Sequence, residues 1–208
     1  GFFQSLKMGF LIFKEKVIDS IDLLSKGMIF DFPRSLKSAA KKCKAKYKIV
    51  NSPNSSSFLN ELQALNAELV ISFSAPCIFN KRLLELPKHG CINLHCSLLP
   101  KFAGLLPSFW TIYKKEKLIG ATIHYMDDKI DNGKILGQVE LPMPDNPTVF
   151  KVILLTKRAG GFLMLKVIKD LMRNNLKPIN NHVTQNNYFT WPSIKQMRDF
   201  RKNGGRLV

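Results

Sequence analysis

Between Gly90 and Gln138, Cys91-Ile92-Asn93-Leu94-His95 alternates side-chain character and runs into the structure breakers Pro100, Gly104 and Pro107. A period of two is the strand repeat. With Ile92 and Leu94 turned to a packing layer, Asn93 and His95 project together from the other face, at the carboxyl end of a strand. Open α/β sheets bind their ligands at that end. Gly120 to Met126 reads as a second alternating strand carrying His124, and Asp127-Asp128-Lys129-Ile130-Asp131-Asn132-Gly133 reads as the turn after it.

An amide, an imidazole and a carboxylate are the groups that acyl transfer between amines requires. Asn93 can donate to the oxyanion of a tetrahedral intermediate. His95 can give the same oxygen a charged donor or shuttle a proton, and a neighbouring carboxylate would raise its pKa and fix its tautomer. Spacing alone does not bring Asp131 to His95. On N-x-H alone, a pair satisfied at a strand end and an Asp in an ordinary turn is the better reading.

The longer pattern changes that balance. Asn93-Leu94-His95-Cys96-Ser97-Leu98-Leu99-Pro100-Lys101-Phe102-Ala103-Gly104, followed by Gly120 to Gln138 with Asp131-Asn132-Gly133-Lys134-Ile135, resembles the formyltransferase family that uses 10-formyltetrahydrofolate. The resemblance covers roughly residues 65 to 175, and several motifs in one order make chance a poor explanation. It implies a Rossmann-like α/β domain, a mostly parallel sheet flanked by helices, with Asn93, His95 and Asp131 catalytic. It further implies that Ser74, Ala75, Pro76, Cys77, Ile78 and Phe79 hold the pterin together with Asp127, Asp128, Ile130 and Gly133. Ser97, Leu98, Leu99, Pro100 and Gly104 are expected on the substrate. The expected donor is 10-formyltetrahydrofolate without a metal, and the expected acceptor is a sugar nucleotide, another small amine or methionyl-tRNA. A hydrolase acting on the same folate and a catalytically idle basic binding protein are the alternatives. By the same resemblance Cys96 is packing, and His124 is structural or positions the loop bearing Asp131.

The chain has 208 residues, 45% hydrophobic and 23% charged, which suits one well-packed domain. We expect that domain to span residues 1–178, with its first strand missing in an N-terminally truncated sequence, and residues 179–208 to form a tail. Thirty-two basic against fifteen acidic residues give a net charge of +17. Such a field favours polyanions, nucleic acid among them, although a lysine-rich solvated surface explains it equally well. Four cysteines without C-x-x-C spacing fit reduced thiols and a cytoplasmic setting. Residues 1–30 mix apolar side chains with lysines, fitting a helical pair over the sheet or a peripheral membrane helix, and contain no run long enough to span a bilayer.

Elsewhere the spacing predicts helices after Pro33, over 56–65, 80–86 and 105–114, and from Thr148 to about Arg173, the last kinked at Gly160-Gly161. Strands are expected at 47–50, at 68–73 as a buried parallel strand, and at 135–141. Phe109, Trp110 and Tyr113 read as packing.

Overall fold

The computed structural model describes residues 36–75 and 77–208, in two units that divide between Ser55 and Ser56. In the first, helix α1 (Leu36–Lys42) closes on two lysines, which suit the negative end of the helix dipole. Residues 47–50, expected as a strand, are irregular. No strand among the described residues pairs with them.

The second unit runs α2 (Ser56–Ala64), β1 (Val70–Ser72), α3 (Lys81–Glu85), β2 (Cys91–His95), β3 (Ala103–Gly104), α4 (Pro107–Tyr113), β4 (Leu118–Tyr125), β5 (Ile135–Pro142), α5 (Val149–Met172), β6 (Tyr188–Phe189) and α6 (Ile194–Lys202). Four strands form one sheet in the order β1-β2-β4-β5, and β3 pairs with β6 apart from it. The α/β class stands as the sequence implied. Within the described strands, β1 and β2 run parallel, whereas β2–β4 and β4–β5 are antiparallel.

Alternation sorts the two faces of the sheet. Ile92, Leu94, Ala121, Ile123 and Leu136 meet Met164 and Val167 of α5. On the other face Cys91 packs with Leu59, Phe79 and Leu83, and Asn80 caps α3 by accepting the Leu83 N–H at 2.9 Å. Asn93 and His95 belong to that second face.

Helix α5 runs unbroken through both of its glycines, where the sequence suggested a kink. Gly160 is instead a point of close approach, since a Cβ there would lie 2.6 Å from Leu94 Cδ1 and 3.0 Å from Ala121 Cβ. Gly161 has nothing within 4 Å. Opposite signs are therefore expected. Gly160→Ala should destabilise by about 1–3 kcal/mol through overpacking, and Gly161→Ala should stabilise by up to about 1 kcal/mol through helix propensity. Chemical denaturation of the two variants checks this; a shared sign would contradict the packing assigned to Gly160.

The expected boundary after residue 178 is not a boundary. Residues of the expected tail supply β6, which pairs with β3 through Ala103↔Tyr188 and Gly104↔Phe189. They also supply α6, whose Met197 and Phe200 are buried, with Phe200 4.7 Å from Phe109 between ring centroids. Trp110 donates its indole N–H to the Thr190 carbonyl at 3.0 Å. The α4 aromatics are packing, as read, and the C-terminal segment is what they pack against.

Candidate active site

Antiparallel pairing of β2 with β4 sets Asn93 opposite His124, and Asn93 Nδ2 lies 3.2 Å from His124 Nε2. Each imidazole is anchored through its other nitrogen to a backbone carbonyl, which can only accept. His124 Nδ1 donates to Tyr125 at 2.7 Å and His95 Nε2 to Phe102 at 2.8 Å. The nitrogens left over face one carboxylate. Asp131 Oδ2 is 3.4 Å from His95 Nδ1, and Oδ1 is 3.5 Å from His124 Nε2. The Gly104 N–H completes the cluster by donating to Asp131 Oδ2 at 2.8 Å.

Asp131 arrives by an unexpected route. Tyr125 pairs with Ile92, so the turn after β4 leaves beside the start of β2 rather than beside its carboxyl end. It reaches the site by folding back over the sheet face. Gly133 permits this, because a Cβ there would fall 1.9 Å from the Tyr125 carbonyl oxygen. Asn181 then clamps the turn, its Nδ2 donating to the carbonyls of Asp131 at 2.7 Å and Gly133 at 3.3 Å.

Burial pushes the pKa of His95 below its ordinary value, and the charge of Asp131 and the Phe102 hydrogen bond only partly offset it. The expected rise is thus overturned: His95 rests neutral at neutral pH, and its tautomer is set by Phe102 rather than by the carboxylate. Burial acts the other way on Asp131, raising it, but the His124 hydrogen bond, the charge of His95 and the Gly104 N–H together hold it below the usual range. Of these, the Gly104 contact needs no ring proton. It therefore favours the ionised Asp131 whether or not His95 is charged.

Both groups therefore take up protons less readily folded than unfolded, and the stability they lend is lost as pH falls. The loss begins as pH drops through the ordinary histidine value of 6.5 and resumes below the aspartate value of 3.8. Urea midpoints measured from pH 8 to 3 should show both declines, and His95→Gln should remove the upper one. An upper decline that survives in His95→Gln would assign it elsewhere.

A cavity of about 450 Å³ opens over this cluster, lined by Asn93, His95, His124 and Asp131. Of the residues expected on the cofactor, Ser74, Ala75, Cys77, Ile78, Phe79, Asp127 and Ile130 line it too. Pro76 lies outside the described residues. Asp128 is exposed and outside the lining, and buried Gly133 serves the close turn. Gly104 lines the cavity, but the other residues expected on the substrate do not. Ser97, Leu98, Leu99 and Pro100 border a separate cleft, because their polar groups are consumed in building the loop. Ser97 Oγ donates to the Lys101 carbonyl at 2.6 Å, Leu99 N–H to Thr122 Oγ1 at 3.0 Å, and Gln138 Nε2 to the Leu99 carbonyl at 2.8 Å.

Strained backbone gathers here. Ser74, Leu106 and Asp131 in the wall, and Phe102 at the carbonyl that holds His95, all have φ between 51° and 64°, a conformation that non-glycine residues adopt at a cost. Leu105 to Ser108, Lys157 and Trp191 also line the cavity without having been singled out. His124 had two signals in the sequence, its two-residue alternation with Thr122 and the family resemblance; Trp191 had none, because it depends on the β3–β6 pairing.

A family model described as formyl transferase matches residues 34–168, more than half of the chain. The chain belongs to the formyl transferase family. Among its relatives, the methionyl-tRNA formyltransferase of Clostridium perfringens (strain 13 / Type A) is 36% identical over 132 residues, covering 64% of this chain and 43% of the relative. That of Halalkalibacterium halodurans is 37% identical over 152 residues, covering 72% and 47%. The formyl transferase chain thus spans less than half the length of these curated relatives. Among solved structures it resembles a sugar N-formyltransferase from Shewanella sp FDAARGOS_354, with TM-score 0.59, 26% identity, and coverage of 84% of this chain and 64% of that one. Glycinamide ribonucleotide transformylase 1 from Symbiobacterium toebii shares the fold at TM-score 0.61 and 19% identity, covering 72% and 78%. Among the described residues no group of three or more His, Cys, Asp or Glu is placed to hold a metal ion, and no helix is long and apolar enough to cross a membrane.

Proposed function

We propose that this cavity takes 10-formyltetrahydrofolate and passes its formyl group to an amine. The observation that carries this reading is the cluster of Asn93, His95, His124 and Asp131 in the wall of one cavity. Ser74, Ala75, Cys77, Ile78 and Phe79, with Asp127 and Ile130, form the donor wall, which offers apolar side chains to a flat heterocycle. Attack of the amine on the formyl carbon makes a new C–N bond and puts negative charge on the formyl oxygen. Asn93 stabilises that charge by hydrogen bonding. Neutral His95, with Nδ1 facing Asp131, takes the proton that the attacking nitrogen must lose. Collapse breaks the bond to the donor nitrogen, which receives a proton, releasing tetrahydrofolate and the formamide.

Asn93→Ala and His95→Ala should each reduce turnover by about 100- to 1000-fold in a folded protein. The double variant should fall little further, because the residues act as a unit. Stopped-flow transfer rates alongside circular dichroism check this; independent, multiplying losses would deny the shared role. The reading as a whole is tested by an acceptor screen that follows tetrahydrofolate release from 10-formyltetrahydrofolate, with an acceptor-free control. Failure to bind folinic acid would defeat it.

A further inference from the structure

Three side chains stand in one row across the sheet. His95 of β2 lies opposite Thr122 of β4, and Thr122 lies opposite Gln138 of β5. Directly opposed residues share a face, so the row runs from the catalytic imidazole to a glutamine two strands away. Gln138 is exposed and is not part of the cavity wall. The loop 97–102 is bonded to this row. Gln138 Nε2 donates to Thr122 Oγ1 at 2.9 Å and to the Leu99 carbonyl at 2.8 Å. Thr122 also accepts the Leu99 N–H at 3.0 Å, and its one proton goes to the Ser97 carbonyl at 2.6 Å.

Within the loop, the Ser97 hydroxyl donates to the Lys101 carbonyl at 2.6 Å and has the Phe102 carbonyl 3.5 Å away. The contacts end at Phe102, whose carbonyl takes the His95 Nε2 proton at 2.8 Å. Leu98 is seated by other means, since a Cβ at Gly120 of β4 would fall 2.4 Å from Leu98 Cδ2. Phe102 itself has φ 56°, a conformation that a bulky residue keeps only where its surroundings over-determine it. Those surroundings are buried: Ser97 is 3% exposed and Thr122 0%. The direction of the Phe102 carbonyl in turn decides which nitrogen of a neutral His95 carries the proton.

We propose that Gln138 and Ser97 are positioning residues for formyl transfer: they aim the Phe102 carbonyl so that His95 keeps its proton on Nε2 and turns a bare Nδ1 to the attacking amine. This rests on the formyl-transfer reading above. Neither residue lines the cavity, so neither meets substrate. Both act through the loop. When Nδ1 takes the proton of the amine, the ring becomes an imidazolium and its Nε2–H bond to Phe102 becomes charge-assisted and stronger. A carbonyl held in place therefore helps most at the moment of transfer. With the loop released, part of the protein carries the proton on Nδ1 instead, and that part offers the amine no base.

The test compares the whole chain with Ser97→Ala and Gln138→Met. The second variant removes both donations at an exposed position, so it keeps the fold even where Ser97→Ala does not. Nitrogen-15 NMR of the histidine rings, with His95 assigned by its absence in His95→Gln, should show the Nε2–H form in the wild type and a mixture of both tautomers in each variant. The kcat should fall about ten- to hundredfold, with the acceptor KM and the affinity for folinic acid unchanged. The acid limb of the pH–rate profile should move to lower pH, because the Phe102 bond raises the pKa of His95. In a His95→Ala background Gln138→Met should cost nothing further. An equal loss of kcat in that background would make Gln138 a structural residue and overturn the proposal. So would wild-type ring spectra in both variants, a wild-type ring protonated on Nδ1, or a loss of folinic acid affinity matching the loss of kcat. The spectra need no substrate and decide the positioning whether or not an acceptor is formylated; absence of folinic acid binding in the wild type would count against the formyl-transfer reading instead.

Discussion

Asp131→Asn should retain its fold and its affinity for folinic acid, yet transfer formyl about 100- to 10,000-fold more slowly, the range expected when general-base catalysis by His95 loses the charge that supports it. The substitution keeps the shape and removes the charge. The amide can still accept the Gly104 N–H that the carboxylate takes at 2.8 Å, so β3 stays in place. What disappears is the negative charge 3.4 Å from His95 Nδ1. That charge is the largest influence raising the pKa of His95 against its burial, and without it His95 falls further below its ordinary value. The acid limb of the pH–rate profile should accordingly move to lower pH while the plateau collapses. Near-normal turnover across pH in a folded Asp131→Asn protein would refute the mechanism, and an acid limb displaced upward would refute the electrostatics assigned to the pair.

Gly104→Ala, one methyl group, should be as damaging. Gly104 sits at φ +94°, and a Cβ there would fall 2.2 Å from the Phe189 carbonyl oxygen. The left-handed conformation alone costs an L-residue about 1–2 kcal/mol, and the overlap with backbone cannot be relieved by a rotamer. The β3–β6 pair must open, which takes the N–H away from Asp131 and Trp191 away from the rim. Turnover should drop to the level of Asp131→Asn or below, and thermal unfolding should shift down by several degrees. A Gly104→Ala protein with wild-type Tm and rate would show that β6 does not hold the site together.

The sequence carried the parts of this architecture that depend on local spacing. Alternation at Ile92 and Leu94 placed Asn93 and His95 on one face, and the helical spacing after Thr148 marked α5 to within a residue of each end. Sequence motifs named Asp131, but its path to His95 was hidden, because it depends on an antiparallel β4 and on a glycine turn folding back over the sheet. Ser97 to Pro100 illustrate the opposite case. The family resemblance implied contact with substrate, whereas Thr122 and Gln138, distant in sequence, engage that loop in hydrogen bonds. The sign of the His95 shift was misjudged for a related reason: a carboxylate neighbour can be guessed from motifs, but the depth of burial that outweighs it is a property of the packed domain. Trp191 was out of reach altogether, since its place is set by two residues of parallel pairing between segments some eighty positions apart.

That pairing bears on how the protein comes into being. Synthesis proceeds from the amino end at about 5–20 residues per second, so the strand bearing Asn93 and His95 and the turn bearing Asp131 emerge from the ribosome well before Tyr188 and Phe189. Until those residues arrive, nothing seats β3 against a partner strand, and the Asn181 clamp on the Asp131 turn is also missing. A nascent chain can therefore carry every reacting side chain and still be inert, and the same holds for a product of proteolysis cut between Met172 and Asn181. Competence arrives with Tyr188 and Phe189 rather than with the reacting side chains.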